Sequence, residues 1–430
     1  MDYKETLDFL FNSLPVFQNI GGAAYKANLN NSHALDEYLG FPHRKFITIH
    51  VAGTNGKGSV SHMLASVLQK AGYKTGLYTS PHLYDFRERI RVNGEMIPEN
   101  EVTDFVRRHK AKIEEIKPSF FEMTVFMAFD YFARAGVEIA VIEVGMGGRL
   151  DSTNVITPIL SIITNISFDH TQFLGDSLAA IAGEKAGIIK PGITVVIGES
   201  DPETSPVFTV KARQTDSTIL FADTIYKCLG SRKTQYGQEL TIKKIADNAE
   251  FTIETDLAGN YQKKNILTVL TSLDVLKDKI KISSQDTEEG IRYAAATTGL
   301  YGRWQKVSES PLVIYDTAHN TAGLRETMAQ IAEQKYHNLY MVFGVVNDKH
   351  LDGILPLLPQ EAYYFFTQAN IARAMDAGIL AEKASLAGLK GEIIRDVGKA
   401  VRTAVKKASP DDMVYVGGSN FVVAEAALKK

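Results

Sequence analysis

The sequence predicts an α/β protein of two unequal domains: a larger one whose mostly parallel sheet is flanked by helices and opens on a glycine-rich loop, and a smaller Rossmann-like α/β domain. Three observations carry this. At 430 residues the chain exceeds what one ordinary core supports. The stretch Ile47 to Ser59, ITIHVAGTNGKGS, turns from a β-branched run into small residues and then into helical spacing. Beyond residue 300, short apolar runs alternate with helical patterns in a second series.

Composition excludes several classes. A net charge of -3 and a pI near 6.4 give no electrostatic case for nucleic acid. No apolar stretch reaches membrane-span length, and MDYKETLDFLF has neither a basic n-region nor a cleavage site, so a cytoplasmic protein without membrane contact is expected. The single cysteine, Cys228, suits a reducing compartment and has no neighbour that would make it catalytic.

Residues 1–45 read as helix, loop, helix. Leu7, Leu10, Phe11 and Leu14 form one stripe, and Gly21-Gly22 and Asn28 to Asn31 interrupt it; a surface connection is favoured there over a loop that touches a ligand. In the central stretch Ile47, Ile49 and Val51 alternate with Thr48 and His50 as a buried strand. Val60, Met63, Leu64, Val67 and Leu68 then form a helix that should stop at Gly72. Strand, glycine loop and helix make a phosphate cradle. Backbone N–H groups face the ligand, the helix N-terminus favours negative charge, and Lys57 reaches the β/γ-phosphates. The loop Gly53-x-x-Gly56-Lys57 is shorter than the common G-x-x-x-x-G-K, and Gly58 separates the lysine from Ser59.

Thr75 to Thr79 is a second strand ending in Ser80-Pro81-His82-Leu83. At its carboxyl end Ser80 should face the phosphate loop as a metal or substrate contact. For the cluster Arg87, Glu88, Arg89 and Arg91, before the turn Asn93-Gly94, a solvated face and a substrate site stand level. Helical patterning runs through Phe132, with Glu122 read as a cap or hydrogen-bonded core residue. Strand Ile139 to Ile142 delivers Glu143 to the rim before Gly145-Met146-Gly147-Gly148-Arg149, where an acid beside a phosphate loop holds Mg²⁺. Strand Ile159 to Ile163 leads to Asn165 and Asp169-His170, and its position favours a metal reading for His170.

The short helix in 178–190 carries Lys185 among small and apolar neighbours. Two readings stand there: a buried lysine with unusual protonation or modification, and a snorkelling surface lysine. Residues 200–256 read as short strand-like pieces without chemistry. From Leu257 a glycine turn precedes a strongly amphipathic helix with Gln262 and Asn265 near its start, where they could reach a ligand. A junction at Thr297 to Gln305 and a strand Leu312 to Tyr315 place the boundary between domains 1–299 and 300–430. Further strands LYMVFG, AYYFFT and MVYVGG should bring Asp316 to Asn320, Asp348-Lys349-His350 and Gly418-Ser419-Asn420 to one rim.

A loop for ATP, acid and histidine at neighbouring strand ends, and a second polar-rimmed domain suggest transfer of phosphate from ATP. The motifs also carry a resemblance. GTNGKGS (53–59), TSPHL (79–83), ERIRVNG (88–94), FEMT (121–124), EVGMGGRLDSTN (143–154), DHTQFLG (169–175), IAGEKAGIIK (181–190), GRWQ (302–305) and YDTAHN (315–320) resemble the folylpolyglutamate synthases, including bifunctional dihydrofolate synthases, of the Mur ligase superfamily.

That resemblance implies an ATP-dependent carboxylate–amine ligase joining L-glutamate to a folate or dihydropteroate carboxylate through an acyl phosphate. It implies that Thr54, Asn55, Gly56, Lys57, Gly58 and Ser59 cradle ATP, that Asn265, Arg303 and Asp316 also contact it, and that Ser80, Glu143, His170 and Lys185 hold Mg²⁺. Lys185 matches a lysine that family members carry as a carbamate. His319 and Ser419 match positions tied to glutamate or acyl-phosphate chemistry, giving with Lys57, Lys185 and Arg303 the catalytic set. Pro81, His82, Phe121, Glu122, Met123, Ser152, Thr153 and Asn154 fall on the pterin side. K⁺ is a further cation the resemblance admits, and a monomer is the expected state.

The chain departs from the family pattern at Thr321, where proline is common, and over Ala27 to Ser32. A P-loop kinase would use Lys57 and Glu143 but leave the second domain idle. A catalytically silent binding protein would not keep Lys57, Glu143, His170 and Lys185 together, and TSPHL and FEMT tilt away from a cell-wall peptide ligase.

Overall fold

A computed structural model describes residues 1–16 and 28–427. Gly21-Gly22 and the start of the Ala27 to Ser32 segment lie outside them. The chain divides into two compact units. The first runs to His82, resumes over Phe86–Asp256 and closes with Tyr261–Leu300. The second takes Leu83–Asp85, Leu257–Asn260 and everything from Tyr301 onward.

Among the described residues the first unit has eight strands in one sheet: β1 (Ile47–Ala52), β2 (Thr75–Tyr78), β3 (Ile90–Val92), β4 (Glu95–Met96), β5 (Ile139–Glu143), β6 (Leu160–Ile163), β7 (Val195–Ile197) and β8 (Ile219–Phe221). Their spatial order is β4-β3-β2-β5-β1-β6-β7-β8, antiparallel only at the β3 and β4 edge. β1 is central, with Val51 opposite both Glu143 and Ile162, so the glycine loop, Glu143 and the segment after β6 leave the sheet side by side. Helices cover both faces, which is why Ile139 to Ile142 and Ile159 to Ile163 read as apolar runs. Phe126, Phe129 and Phe132 of helix Phe120–Arg134 pack with Tyr78, Ala140 and Ile142, while Ala182, Ala186 and Phe208 pack with Ala52, Ile163 and Ile197.

The segment 200–256 is richer than its sequence suggests. Ser205–Gln214 is a helix with Phe208 and Ala212 buried, too narrow a stripe to stand out, and Ile219–Phe221 joins the large sheet. β9 (Tyr226–Lys233), β10 (Gln238–Lys244) and β11 (Glu250–Thr255) form a separate antiparallel sheet. Helix Gln262–Lys277 is less one-sided than the strongly amphipathic helix expected, being enclosed from Asn265 through Leu273. Its polar residues tolerate burial because the Thr268, Thr271 and Ser272 hydroxyls donate to carbonyls four residues back.

In the second unit β12 (Gln305–Glu309), β13 (Leu312–Tyr315), β14 (Leu339–Phe343), β15 (Tyr363–Phe366), β16 (Lys390–Ile393) and β17 (Met413–Gly417) lie in the order β12-β13-β17-β14-β15-β16. Only β12 is antiparallel. Strands β12 and β16 escaped the sequence reading because both are edge strands with little burial, hence without an apolar pattern. Helices Thr321–Ala332 and Ala377–Leu386 pack on one face, Val397–Lys407 and Asn420–Ala427 on the other. The carboxyl ends of β13, β17 and β14 therefore line one rim. Among the described residues no helix is long and apolar enough to cross a membrane.

Candidate active site

The glycine loop is built as its sequence demands. Gly53 has φ +145°, and a Cβ there would lie 1.9 Å from Thr164 Oγ1. Gly56, at φ +83°, precedes helix Lys57–Lys70, and a Cβ on it would lie 2.3 Å from Asn265 Oδ1. Residues after β6 brace the loop from the side. Asn165 Oδ1 accepts the Asn55 N–H at 3.0 Å, Thr164 Oγ1 donates to the Asn55 carbonyl at 2.5 Å, and Thr54 Oγ1 accepts the Ser167 N–H at 3.0 Å. Gln262 donates to the Ser59 hydroxyl at 3.1 Å and accepts from Asn265. Thr164, Ser167 and Gln262 were not assigned this role from sequence; their polar cluster at a strand end and helix start was the available signal. Gly56→Ala is expected to raise the nucleotide dissociation constant about tenfold, since a left-handed alanine costs about 1–2 kcal/mol before Asn265 is displaced. Unchanged ADP affinity in calorimetry would contradict it.

Two lysines converge on one acceptor. Lys57 Nζ donates to the carbonyls of Gly53 and Thr54, both at 3.1 Å, and Lys185 Nζ donates to the same Gly53 carbonyl at 2.9 Å. Lys185 is 3% exposed, so the snorkelling reading fails. Burial, then the Lys57 charge, pull its ammonium down to about 7, with Asp169 and Asp151 opposing.

Glu143, at the end of β5, is buried, and its carboxylate accepts the Ser80 N–H at 3.1 Å, uniting two of the expected metal ligands. His170 lies half-buried at φ +50° before the short helix Thr171–Leu174, and its N–H donates to Asp169 Oδ1. Among the described residues no three His, Cys, Asp or Glu side chains form a metal cluster.

The residues expected on the pterin side are firmly bonded. Glu122 caps its own helix, accepting the Ser119 N–H at 2.6 Å in a capping box and also bonding Asn31 at 3.3 Å; Met123 is buried in the core. The Phe121 ring lies against Gly145, where a Cβ would sit 2.5 Å away. Thr153 is fully enclosed and Ser152 and Asn154 nearly so. Asn154 donates to the Arg149 and Gly187 carbonyls, so this segment shapes its loop from within. Pro81 is exposed, and His82 Nδ1 accepts from Arg89 at 2.8 Å beside Phe11 and Phe86. Arg89 and Arg91 are buried, which removes the solvated-face reading for both. The Arg89 guanidinium lies 5.1 Å from the Phe120 ring centre, and Arg91 bonds the Glu88 and Gly299 carbonyls.

In the second unit Asp316, 2% exposed, accepts the N–H groups of Trp304 at 2.7 Å and Ala318 at 2.8 Å, binding the strand end to the Arg303 segment. Arg303 bonds the Gly302 carbonyl and the Thr317 hydroxyl. His319 Nδ1 lies 2.9 Å from the Thr317 carbonyl, and the buried Ser419 hydroxyl accepts the Val422 N–H at 3.2 Å. Gly418, at φ +91°, leaves room for the Gly344 carbonyl, so the loops after β17 and β14 meet.

Comparison with known proteins decides the family. The Mur ligase middle domain matches residues 51–273, and the Mur ligase glutamate ligase domain matches residues 302–420. The dihydrofolate synthase/folylpolyglutamate synthase of Bacillus subtilis (strain 168) is 32% identical over 93% of this chain and 94% of its own. The chain belongs to the folylpolyglutamate synthase and dihydrofolate synthase family of Mur ligases. A probable bifunctional folylpolyglutamate synthase/dihydropteroate synthase of Haloferax volcanii is 34% identical over 99% of this chain, which spans 50% of that protein's length. A crystal structure of bifunctional folylpolyglutamate synthase/dihydrofolate synthase with Mn, AMPPNP and L-glutamate bound has a TM-score of 0.83 at 28% identity, covering 99% of this chain and 97% of that one. The two-domain α/β fold is thus that of the family.

Proposed function

We propose that this Mur ligase adds L-glutamate to the carboxylate of a folate, of dihydropteroate, or of both, converting ATP to ADP and phosphate. The substrate carboxylate oxygen attacks the γ-phosphorus as the bond to ADP breaks. The glutamate amine then attacks the acyl-phosphate carbonyl, phosphate departs with the bonding pair, and the amine sheds a proton. The carrying observation is the second α/β unit matched to a glutamate ligase domain, which a kinase stopping at phosphorylation would leave without a task.

The first unit supplies the nucleotide end. Gly56 to Ser59 offer backbone N–H groups at the helix start, and Lys57 its ammonium, to the phosphates, while the Thr54 and Asn55 N–H groups tie the cradle to Asn165 and Asn265 lies against Gly56. The donor chemistry suits a divalent cation: Ser80 and Glu143, which meet through the Ser80 N–H, bring oxygen atoms and His170 an imidazole, and Mg²⁺ needs few protein ligands because it keeps waters and phosphate oxygens in its shell. When bound, it neutralises charge on the transferred phosphoryl oxygens. Lys185, lowered to about 7, holds much of its amine neutral at physiological pH, the form that takes up CO₂; as a carbamate it would join that donor set.

Arg303 offers a guanidinium fork to phosphoryl oxygens, Asp316, which holds the Arg303 segment, is read as an ATP contact, and His319 and Ser419 serve the glutamate or acyl-phosphate end. On the pterin side Pro81, His82 and the half-exposed Phe121 present themselves, with Glu122, Met123 and 152–154 holding their shape. The reading includes K⁺ as an additional cation and a cytoplasmic monomer, which the lone Cys228 and small net charge suit.

The test is a product assay with ATP and glutamate, run in parallel with dihydropteroate and with tetrahydrofolate and resolved by mass. Phosphate release only when glutamate is present supports ligation; a stable phosphorylated product without it establishes the kinase instead. His319→Ala is expected to lower ligation about a hundredfold while ADP affinity stays within about twofold. Equal loss of both would move His319 to the nucleotide site.

A further inference from the structure

A buried chain of hydrogen bonds runs from the middle of β1 to the loop after Glu143. His50 is 0% exposed, and its Nε2 lies 2.9 Å from Thr153 Oγ1. The Thr153 hydroxyl donates to Asp151 Oδ1 at 2.5 Å, and the Thr153 N–H donates to the same oxygen at 3.0 Å. The other Asp151 oxygen accepts the N–H groups of Gly145 and Met146, each at 3.0 Å. A hydroxyl has one proton. Because that of Thr153 goes to Asp151, the hydroxyl must accept from His50, which sets the Nε2–H tautomer. The other ring nitrogen, Nδ1, is buried and finds no hydrogen-bond partner among the described residues, as fits a nitrogen bearing no proton. Burial, helped by the Lys190 charge, lowers His50 to about 3, so the ring stays a neutral donor under ordinary conditions.

The loop that this chain grips touches much of the site. Gly145 follows Glu143 by two residues and lies under the Phe121 ring, and a Cβ on Gly148 would lie 2.9 Å from the Glu184 and Lys185 carbonyls. Backbone that carries a cation-binding carboxylate needs such fixed support, because small misplacements weaken coordination. We propose that His50, through Thr153 and Asp151, is a positioning residue that sets the Gly145–Met146 segment and thereby aims Glu143 at the divalent cation. The proposal rests on the reading of Glu143 as a cation ligand.

The test is Mn²⁺ binding to the protein–ADP complex, measured by calorimetry without turnover, for wild type, Thr153→Val, Thr153→Ser and Glu143→Gln. Valine keeps the shape and removes the hydroxyl; serine restores it. Thr153→Val is expected to weaken Mn²⁺ about tenfold, the loss of one hydrogen bond to a charged group, with metal-free ADP affinity unchanged and Thr153→Ser within about twofold of wild type. His50→Gln, which keeps an N–H donor, should bind Mn²⁺ more tightly than His50→Leu. Wild-type affinity in Thr153→Val, beside a weakened Glu143→Gln, overturns the positioning role alone. Equal weakening by valine and serine overturns it as a packing effect. Undiminished affinity in Glu143→Gln removes the cation reading and the proposal with it.

Discussion

Lys57→Ala is expected to lower the rate of ADP release about a hundred- to a thousandfold while the fold survives. Charge spreads over the transferred phosphoryl oxygens, and a preorganised cation there is worth about 3–4 kcal/mol of barrier. What the fold loses is smaller. Lys57 is half-buried on the first turn of its helix, and among the described residues its ammonium bonds carbonyls of its own loop, Gly53 and Thr54, so the melting temperature should fall by only a few degrees. Removing this charge also removes a repulsion on Lys185, whose affinity for its proton should rise. Turnover within about tenfold of wild type, measured by coupled ADP release, would contradict the assignment.

Lys185→Met is expected to abolish ligation and yet make the folded protein more stable near neutral pH. The sign follows from proton binding. The folded lysine titrates at about 7 and the unfolded one at about 10.4, so between those values the unfolded chain holds more protons and wild-type stability rises with pH. Below about 7 both forms are protonated and the whole penalty of the buried ammonium is present, on the order of 5 kcal/mol. Methionine removes it and flattens the profile between pH 7 and 10. Urea unfolding of both proteins across that range checks this, and parallel profiles would show that Lys185 is not the buried amine responsible. Wild-type activity should also fall in CO₂-free buffer and return with bicarbonate, whereas Lys185→Arg should respond to neither.

Much of this was legible because the interactions are local. Strand, glycine loop and helix at 47–70 follow from β-branched alternation, small residues and helical spacing. Ser119 and Glu122 stand three apart before an apolar run, and the helix cap expected of Glu122 is what forms. The strands with apolar runs, Ile139–Glu143, Leu312–Tyr315 and Met413–Gly417, were readable as well. The exposed edge strands Gln305–Glu309 and Lys390–Ile393 have no such pattern, and helix Ser205–Gln214 buries too little to show one.

By itself the sequence determined the α/β class, the phosphate loop and the motifs that place the chain among folylpolyglutamate synthases, since each depends on residues near one another along the chain. Only the tertiary structure decided what those residues experience. Arg89 and Arg91 are buried rather than solvated, helix Gln262–Lys277 is enclosed rather than strongly amphipathic, and Thr153 braces a loop from inside. The pairing of Lys57 with Lys185 on the Gly53 carbonyl joins residues 128 positions apart, and Lys185 bonds that carbonyl across 132 positions. Burial and charge at such a point are sums over neighbours brought in by packing, and no local pattern encodes them.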